Sequence, residues 1–321
     1  MQEAGRKIIG VILAAGMGKR IYPLSNKVPK PILPVCNRPL IEYQIEIMKN
    51  CGLSEIFVVI GSNMGSGIVK TLGDGTRYGM ILRYVEQKKL LGTAHALGIL
   101  EDLINSPLLV FLGDIYLIID DLCRLIEEVL SGKVNAMLVS KIEENPKMIM
   151  RNFSICETQP GLVCRVIEKP RYTCNQIKGC GVYIFDQNVF DAVRRTPRTA
   201  MRNEYEITDS IQIMIDYGLL VAHRPVVRYD LNLTFPHELL ELNLMELKRR
   251  RLNKIVGENA SIPSEALIEN SVIGEGAIVR YPIRIKNSLI FPGVRVESKT
   301  DIDNAIIHRK NIIQCNPKDL D

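Results

Sequence analysis

The sequence predicts an α/β fold, with a Rossmann-like, mostly parallel sheet covered by helices on both faces and followed by a short left-handed β-helix. Two patterns carry that expectation. Short β-branched runs alternate with helix-period segments through most of the chain, as parallel strands joined by crossover helices do. Beyond Lys254 the apolar period changes to about six residues, the mark of a coiled stack. At 321 residues the chain has the length of about two domains of roughly 150 residues each.

Apolar runs bounded by turn residues place strands at Ile8–Leu13, Ile56–Ile60, Ile81–Val85, Leu108–Leu112, Ala136–Ser140, Leu162–Ile167 and Gly181–Phe185. Between the early ones, helical periodicity covers Leu40–Cys51, Thr93–Leu103 and Asp120–Leu130, with Gly52 and Gly132 as stops. In such sheets ligands bind beyond the carboxyl ends of the strands, which directs attention to the loops after Leu13 and Leu112. Pro236–Asn253 reads as a linking helix whose Lys248–Arg251 run suits a helix carboxyl end better than a nucleic-acid contact. Aliphatics then recur at Val256, Ile262, Ile268, Ile273, Val279, Ile285, Ile290, Val296, Ile302 and Ile307. The intervals cycle through six, six and five, three to a triangular coil, giving about three coils.

Composition narrows the function. Hydrophobic residues at 46% and charged residues at 24% exclude a disordered chain. A net charge of +5 is too small a surplus to imply nucleic acid. No apolar stretch approaches the ~20 residues of a membrane span, and MQEAGRKIIG lacks a signal-peptide core. The eight cysteines (Cys36, Cys51, Cys123, Cys156, Cys164, Cys174, Cys180, Cys315) form no CxxC pair and read as reduced thiols of a cytoplasmic protein. His95 sits among apolar neighbours as a packing residue, and His223, His237 and His308 are too dispersed for a metal site.

The first strand runs directly into VILAAGMGKRIYPLSNKVPKPILPV. Gly16 and Gly18 let the backbone approach a phosphate, and successive amides there can form an anion nest. Ile21 breaks a GxGxxG fingerprint and no Walker A loop is present, which leaves glycine-rich backbone followed by the cations Arg20 and Lys30. The whole string resembles the signature loop of the sugar-1-phosphate nucleotidylyltransferases. TLGDGTRYGMILRYVEQ with LGTAHAL, FLGD, VIEKP, GVYIFD, NEYEITDSIQIMID and RYDLNLTFPHELLELN follow in that family's order, from Ile8 to about Leu247.

The resemblance implies transfer of a nucleotidyl group from a nucleoside triphosphate to a sugar 1-phosphate with release of pyrophosphate, assisted by Mg²⁺. It assigns residues 1–235 to catalysis, 236–253 to the linking helix and 254–314 to a hexapeptide β-helix. Arg20 and Lys30 match the phosphate-gripping cations, while Leu13, Ala14, Ala15, Gly16 and Gly18 match the nucleotide loop. Gln87, Gly92 and Thr93 match the base-reading segment; a glutamine amide can pair with the imide of uracil or thymine, which favours UTP or dTTP. Asp114 and Asp230 match the two metal ligands. Lys169 matches the sugar-phosphate lysine, and Glu168, Gly181 and either Glu204 or Glu206 match the sugar side.

Departures from the family pattern bear on the substrate. Ile115 stands where relatives often carry Asn after the aspartate, and RYDLN replaces a tryptophan-containing segment. Gly179-Cys180-Gly181 replaces the Asn-Thr-Gly that reads an acetamido group, which favours glucose 1-phosphate or another hexose 1-phosphate. Two other readings are a catalytically silent regulatory subunit and a bifunctional enzyme whose tail acetylates an amino sugar. The retained Arg20, Lys30, Asp114, Lys169 and Asp230 speak against the first. A tail of about three coils with His308 alone speaks against the second. The tail is expected to serve assembly into a homo-oligomer.

Overall fold

The computed structural model describes residues 7–26, 28–173, 175–200 and 202–315. It forms two compact units, one of residues up to 16 with 43–230, the other of residues 17–42 with 231 onward.

The first unit is built on nine strands. These are β1 (Ile9–Ala14), β2 (Glu55–Gly61), β3 (Ile81–Gln87), β4 (Leu108–Leu112), β6 (Ala136–Ile142), β7 (Phe153–Gln159), β8 (Leu162–Glu168), β9 (Ile177–Phe185) and β10 (Val221–Arg224). Their order across the sheet is β3-β2-β1-β4-β9-β6-β10-β8-β7. Strand β1 is buried along its whole length and lies parallel to β2 and β4, with Ile12 opposite Val58 on one side and Phe111 on the other. Covered on both faces, it reads as an unbroken apolar run. Two further strands, β5 (Ile115–Ile119) and β11 (Val227–Asn232), form a separate ribbon. The helices are α1 (Leu40–Asn50), α2 (Gly65–Leu72), α3 (Thr93–Gly98), α4 (Leu122–Leu130), the short α5 (Pro146–Met150), α6 (Asn188–Arg195) and α7 (Ile207–Asp216). One core cluster joins Val11, Val59, Val110, Leu138, Tyr183 and Phe185 with Ile211 of α7.

Two expectations are corrected. The sheet is mixed rather than mostly parallel: β9 runs antiparallel to β4, β6 and β7, and β8 runs antiparallel to β7 and β10. For β7 and β8 the cause is a tight connection, since Gln159 and Leu162 pair across Pro160 and Gly161 (φ +83°), leaving no room for a crossover helix. The thiols are also not all unpaired. Cys51, just beyond α1, and Cys123, in the first turn of α4, form a disulfide with Cα atoms 5.1 Å apart. Cys36, Cys156, Cys164, Cys180 and Cys315 are free, and Cys174 lies outside the described residues. The expected Thr93–Leu103 helix is α3 followed by a separate 3₁₀ turn at Glu101–Leu103. No helix among the described residues is long and apolar enough to cross a membrane.

In the second unit, α8 (Pro236–Arg249) starts with proline in its first turn, and the Glu238 carboxylate accepts the Phe235 N–H at 2.7 Å. Arg249 and Arg250 of the basic run both grip buried Glu246, at 2.6 and 2.8 Å. Three parallel ladders then stack with a fixed offset: Lys254 lies opposite Ser271, Leu267 opposite Arg284 and Ile278 opposite Arg295, each 17 residues on. That offset is the sum of the six-six-five hexads. Asn270, Asn287 and Asn304 turn corners at φ +42°, +45° and +50°, a region asparagine tolerates. The stack ends on a hairpin, with Asn311–Gln314 running antiparallel to Ala305–His308.

Residues 17–42 are fastened inside this same unit. Asn243 of α8 accepts the Cys36 N–H at 2.7 Å and donates to the Pro34 carbonyl at 3.0 Å. The Asn37 amide donates to the Ile273 carbonyl of the stack at 2.8 Å.

Candidate active site

The strand ends of the first unit gather most of the expected residues. Leu13 and Ala14 close β1, Ala15 is buried just after it, and Gly16 is exposed. The neighbouring strand β4 ends in the Gly113–Asp114 turn, and the Gly113 N–H donates to the Leu13 carbonyl at 2.9 Å. The glycine loop and the acidic turn therefore share an edge. The turn is also held from below by Gln44 of α1, almost fully buried, whose Nε2 donates to the carbonyls of Leu112 and Ile115, each at 2.8 Å. Asp114 itself is half-buried. On the other side of β1, a cavity of about 460 Å³ lined by Gly61, Ser62, Ser66, Lys70 and Glu86 opens at the ends of β2 and β3.

At the end of β3, buried Gln87 donates from Nε2 to the Gly92 carbonyl at 3.1 Å and sits 2.9 Å from His95 Nδ1. Burial, followed by the nearby Arg198 charge, holds the His95 pKa below its ordinary value, so a neutral ring accepts this amide. Gly92 has φ +113°, and a Cβ there would stand 2.4 Å from the Tyr205 carbonyl oxygen; only glycine fits. Thr93 opens α3, and its Oγ1 accepts the Ile207 N–H at 2.9 Å.

The expected sugar side forms a second cluster. Glu168 closes β8 and pairs with Lys169 at 2.8 Å, with Arg202 at 3.7 Å and with the Thr208 hydroxyl at 3.3 Å. Burial raises the Glu168 pKa against the pull of Lys169. Lys169 has φ +42°, an uncommon conformation for a long side chain. Of the two acids in the EYEITD segment, Glu206 is buried and pairs with Arg202 at 3.1 Å. Glu204 instead lies in the preceding loop, where its carbonyl accepts the Thr199 N–H. Gly181 sits in β9 where the pairing register with β6 shifts.

Arg20 and Lys30 belong to the second unit. Arg20 is exposed on a 3₁₀ turn, and buried Lys30 opens another. Gly18 has φ +62°, and a Cβ there would stand 2.8 Å from Lys30 Cγ.

Asp230 lies elsewhere than a metal ligand's usual setting. It is buried on β11, and its Oδ1 takes the ammonium of Lys178 at 2.8 Å and that of Lys141 at 3.8 Å. Lys178, on β9, is itself fully buried and reaches Glu143 at 3.3 Å, while Lys141 reaches Glu143 at 3.1 Å. Burial alone would lower the Lys178 pKa, but Asp230 and its neighbours raise it. Among the described residues no three His, Cys, Asp or Glu side chains converge as a metal nest. Already paired with Lys178, the Asp230 carboxylate does not fit a Mg²⁺ ion as it stands.

Sequence reasoning missed Gln44, Lys141, Lys178 and Arg202. A signal existed for one of them: Lys178 is the lone charge in IKGCGVYIF, a strand whose other residues are apolar or small.

The class follows from these features: a mixed α/β sheet with a glycine loop at its first strand end, joined to a hexad-repeat stack. Residues 9–225 match the nucleotidyl transferase family, and residues 245–317 match the C-terminal hexapeptide domain described as GlmU-like. The chain belongs to the nucleotidyl transferase family. It is 32% identical over 257 residues to the low-salt glycan biosynthesis nucleotidyltransferase Agl11 of Haloferax volcanii, covering 79% of this chain and 70% of the relative. It is 30% identical over 266 residues to the glucose-1-phosphate thymidylyltransferase of Streptomyces griseus, with 81% and 72% covered. A crystallised Bacillus anthracis protein, described as a glucose-1-phosphate thymidylyltransferase in complex with sucrose, superposes with a TM-score of 0.67 at 27% identity, covering 74% of this chain and 94% of that one.

Proposed function

We propose that the chain transfers a nucleotidyl group from a nucleoside triphosphate, UTP or dTTP, to a hexose 1-phosphate such as glucose 1-phosphate. A phosphate oxygen of the sugar 1-phosphate attacks the α-phosphorus, the α–β bridging P–O bond breaks, and pyrophosphate leaves with that oxygen. The observation that supports this most directly is the hydrogen bond from Gly113 to Leu13. It ties an anion-binding strand-end loop to a turn carrying a carboxylate, the pairing a phosphoryl-type transfer needs. Similarity to the two sugar-nucleotide relatives supports the same reading.

In this reading the backbone of Leu13–Gly18 cradles the triphosphate, and Arg20 and Lys30 draw charge from it. Gln87, its amide hydrogens held by Gly92 and His95, presents its carbonyl oxygen to the imide N–H of the base beside the Gly92–Thr93 corner. Lys169 holds the sugar phosphate, with Glu168, Gly181 and an acid of the EYEITD segment on the sugar. Mg²⁺, held by Asp114 and phosphate oxygens, would supply charge neutralisation when bound. Residues 1–235 carry the chemistry, 236–253 link, and 254–314 form a β-helix that we assign a left hand and a role in homo-oligomers.

Pyrophosphate release across a matrix of the nucleoside triphosphates and sugar 1-phosphates tests the proposal. Release restricted to UTP or dTTP with a hexose 1-phosphate is the expected result; a purine triphosphate as the preferred donor would refute the base assignment.

A further inference from the structure

Asp230 stands where a second metal carboxylate is expected, yet it is already neutralised. Its side chain is 2% exposed and its Oδ1 receives Lys178 Nζ at 2.8 Å, with Lys141 at 3.8 Å. Glu143 completes the group, 3.3 Å from Lys178 and 3.1 Å from Lys141. Two ammoniums and two carboxylates cancel, and Lys178, fully buried, has no water to turn to. A divalent ion at Asp230 would have to displace Lys178 from a buried pair, leaving the buried ammonium on Glu143 beside a doubly charged neighbour. Breaking a buried pair in that way is strongly unfavourable. Asp114 has a different setting, in a solvent-reached turn held by Gln44.

We propose that Lys178 is a resident cation that occupies Asp230 in place of a metal ion, so that a divalent ion in this protein is held by one protein carboxylate, Asp114, together with phosphate oxygens. Lys178 and Lys141 are positioning residues: they hold β11 against β9 and supply at Asp230 the positive charge that a metal would bring. The inference rests on the nucleotidyl-transfer reading and narrows it.

The test measures Mn²⁺ by electron paramagnetic resonance, with the full chain and dTTP whose α–β bridging oxygen is replaced by methylene. Asp114→Asn is expected to weaken Mn²⁺ retention about tenfold or more, the order of a lost ligand or its support. Asp230→Asn leaves it within about twofold of wild type on the same scale. Lys178→Met leaves Asp230 with Lys141 at 3.8 Å and is expected to tighten Mn²⁺ binding. Should that variant not fold, Lys178→Met combined with Asp230→Asn removes both charges and is expected to bind Mn²⁺ as wild type does. Weakening by Asp230→Asn equal to that by Asp114→Asn would overturn the inference and leave nucleotidyl transfer standing. A wild-type chain that retains no Mn²⁺–nucleotide would overturn the reading beneath it, and the inference with it.

Discussion

The Gly113–Asp114 turn is set by a residue that touches no expected substrate. Gln44 uses both amide hydrogens on the carbonyls that bracket the turn, so Gln44→Met takes this donor from both, the Ile115 bond being buried and the Leu112 bond part-buried. That change is expected to lower stability by about 1–3 kcal/mol and to reduce kcat more than the KM for the triphosphate, as thermal unfolding and pyrophosphate assays would show. Asp114→Asn is expected to cost ~10²-fold in turnover; activity within threefold of wild type would remove Asp114 from the site. At Gly92 the constraint is steric. Gly92→Ala drives a Cβ into the Tyr205 carbonyl and is expected to cost about 1–3 kcal/mol, measured by denaturant unfolding.

His95 gives the residue scale its pH dependence. Its folded pKa lies below the ordinary 6.5 because burial disfavours the charged ring. The unfolded chain therefore binds a proton first as pH falls, and the stability His95 contributes is lost as pH drops below about 6.5. The melting temperature of wild type is expected to fall between pH 7 and 5.5, and His95→Phe to flatten that slope.

Among the elements, those with a strong period were legible. The seven expected strands and the 17-residue coil register follow from β-branched runs and from hexads that alternate small corners with inward aliphatics. What the period could not show was pairing across the sheet. Strand β7 ends in exposed, polar positions that blur the apolar signal, β10 is only four residues long with His223 and Arg224 among them, and the Pro160–Gly161 turn fixes an antiparallel neighbour that runs of strand and helix do not announce. The placement of the candidate site was readable where backbone motifs carry it, with Leu13–Gly18 and Gln87–Thr93 at the ends of β1 and β3. It was not readable where it depends on side chains meeting from distant segments, as Lys178 meets Asp230. The coil corners supply a test at this scale. Asn287 accepts from Asn270 at 2.8 Å and donates to Asp303 at 3.2 Å from a left-handed conformation. Asn287→Ala loses both bonds and strains the backbone, for an expected cost of about 1–2 kcal/mol. Asn287→Gly, which keeps the conformation, is expected to cost less in the same melt.

For the whole molecule, the tail is more than an appendage. From sequence, removal of everything after about Asn253 is expected to alter assembly or stability while leaving the chemical residues in place. In the structure, Asn37 anchors to Ile273, and residues 17–42, carrying Arg20 and Lys30, fold with the unit that contains the stack. Truncation after Asn253 is therefore expected to lower pyrophosphate release as well as the melting temperature. Unchanged turnover in the truncated chain would show that the loop holds its shape without the stack. The hairpin at Asn311–Gln314 also covers the last strand from within the chain.

The discontinuity of that second unit sets an order on how the protein comes into being. Residues 17–42 leave the ribosome early, but the segment that completes their unit starts at 231. At synthesis rates of about 5–20 residues per second, roughly 10–40 s separate the two. For that interval the stretch bearing Arg20 and Lys30 has no finished partner, while the sheet can already assemble behind it. A nascent chain halted late in this window, once Val221–Arg224 has emerged, carries all nine strands of the sheet and an unanchored loop bearing Arg20 and Lys30. Protease added to stalled ribosome complexes would cut between 17 and 42 until the stack has emerged, and activity would switch on late in translation rather than grow with chain length.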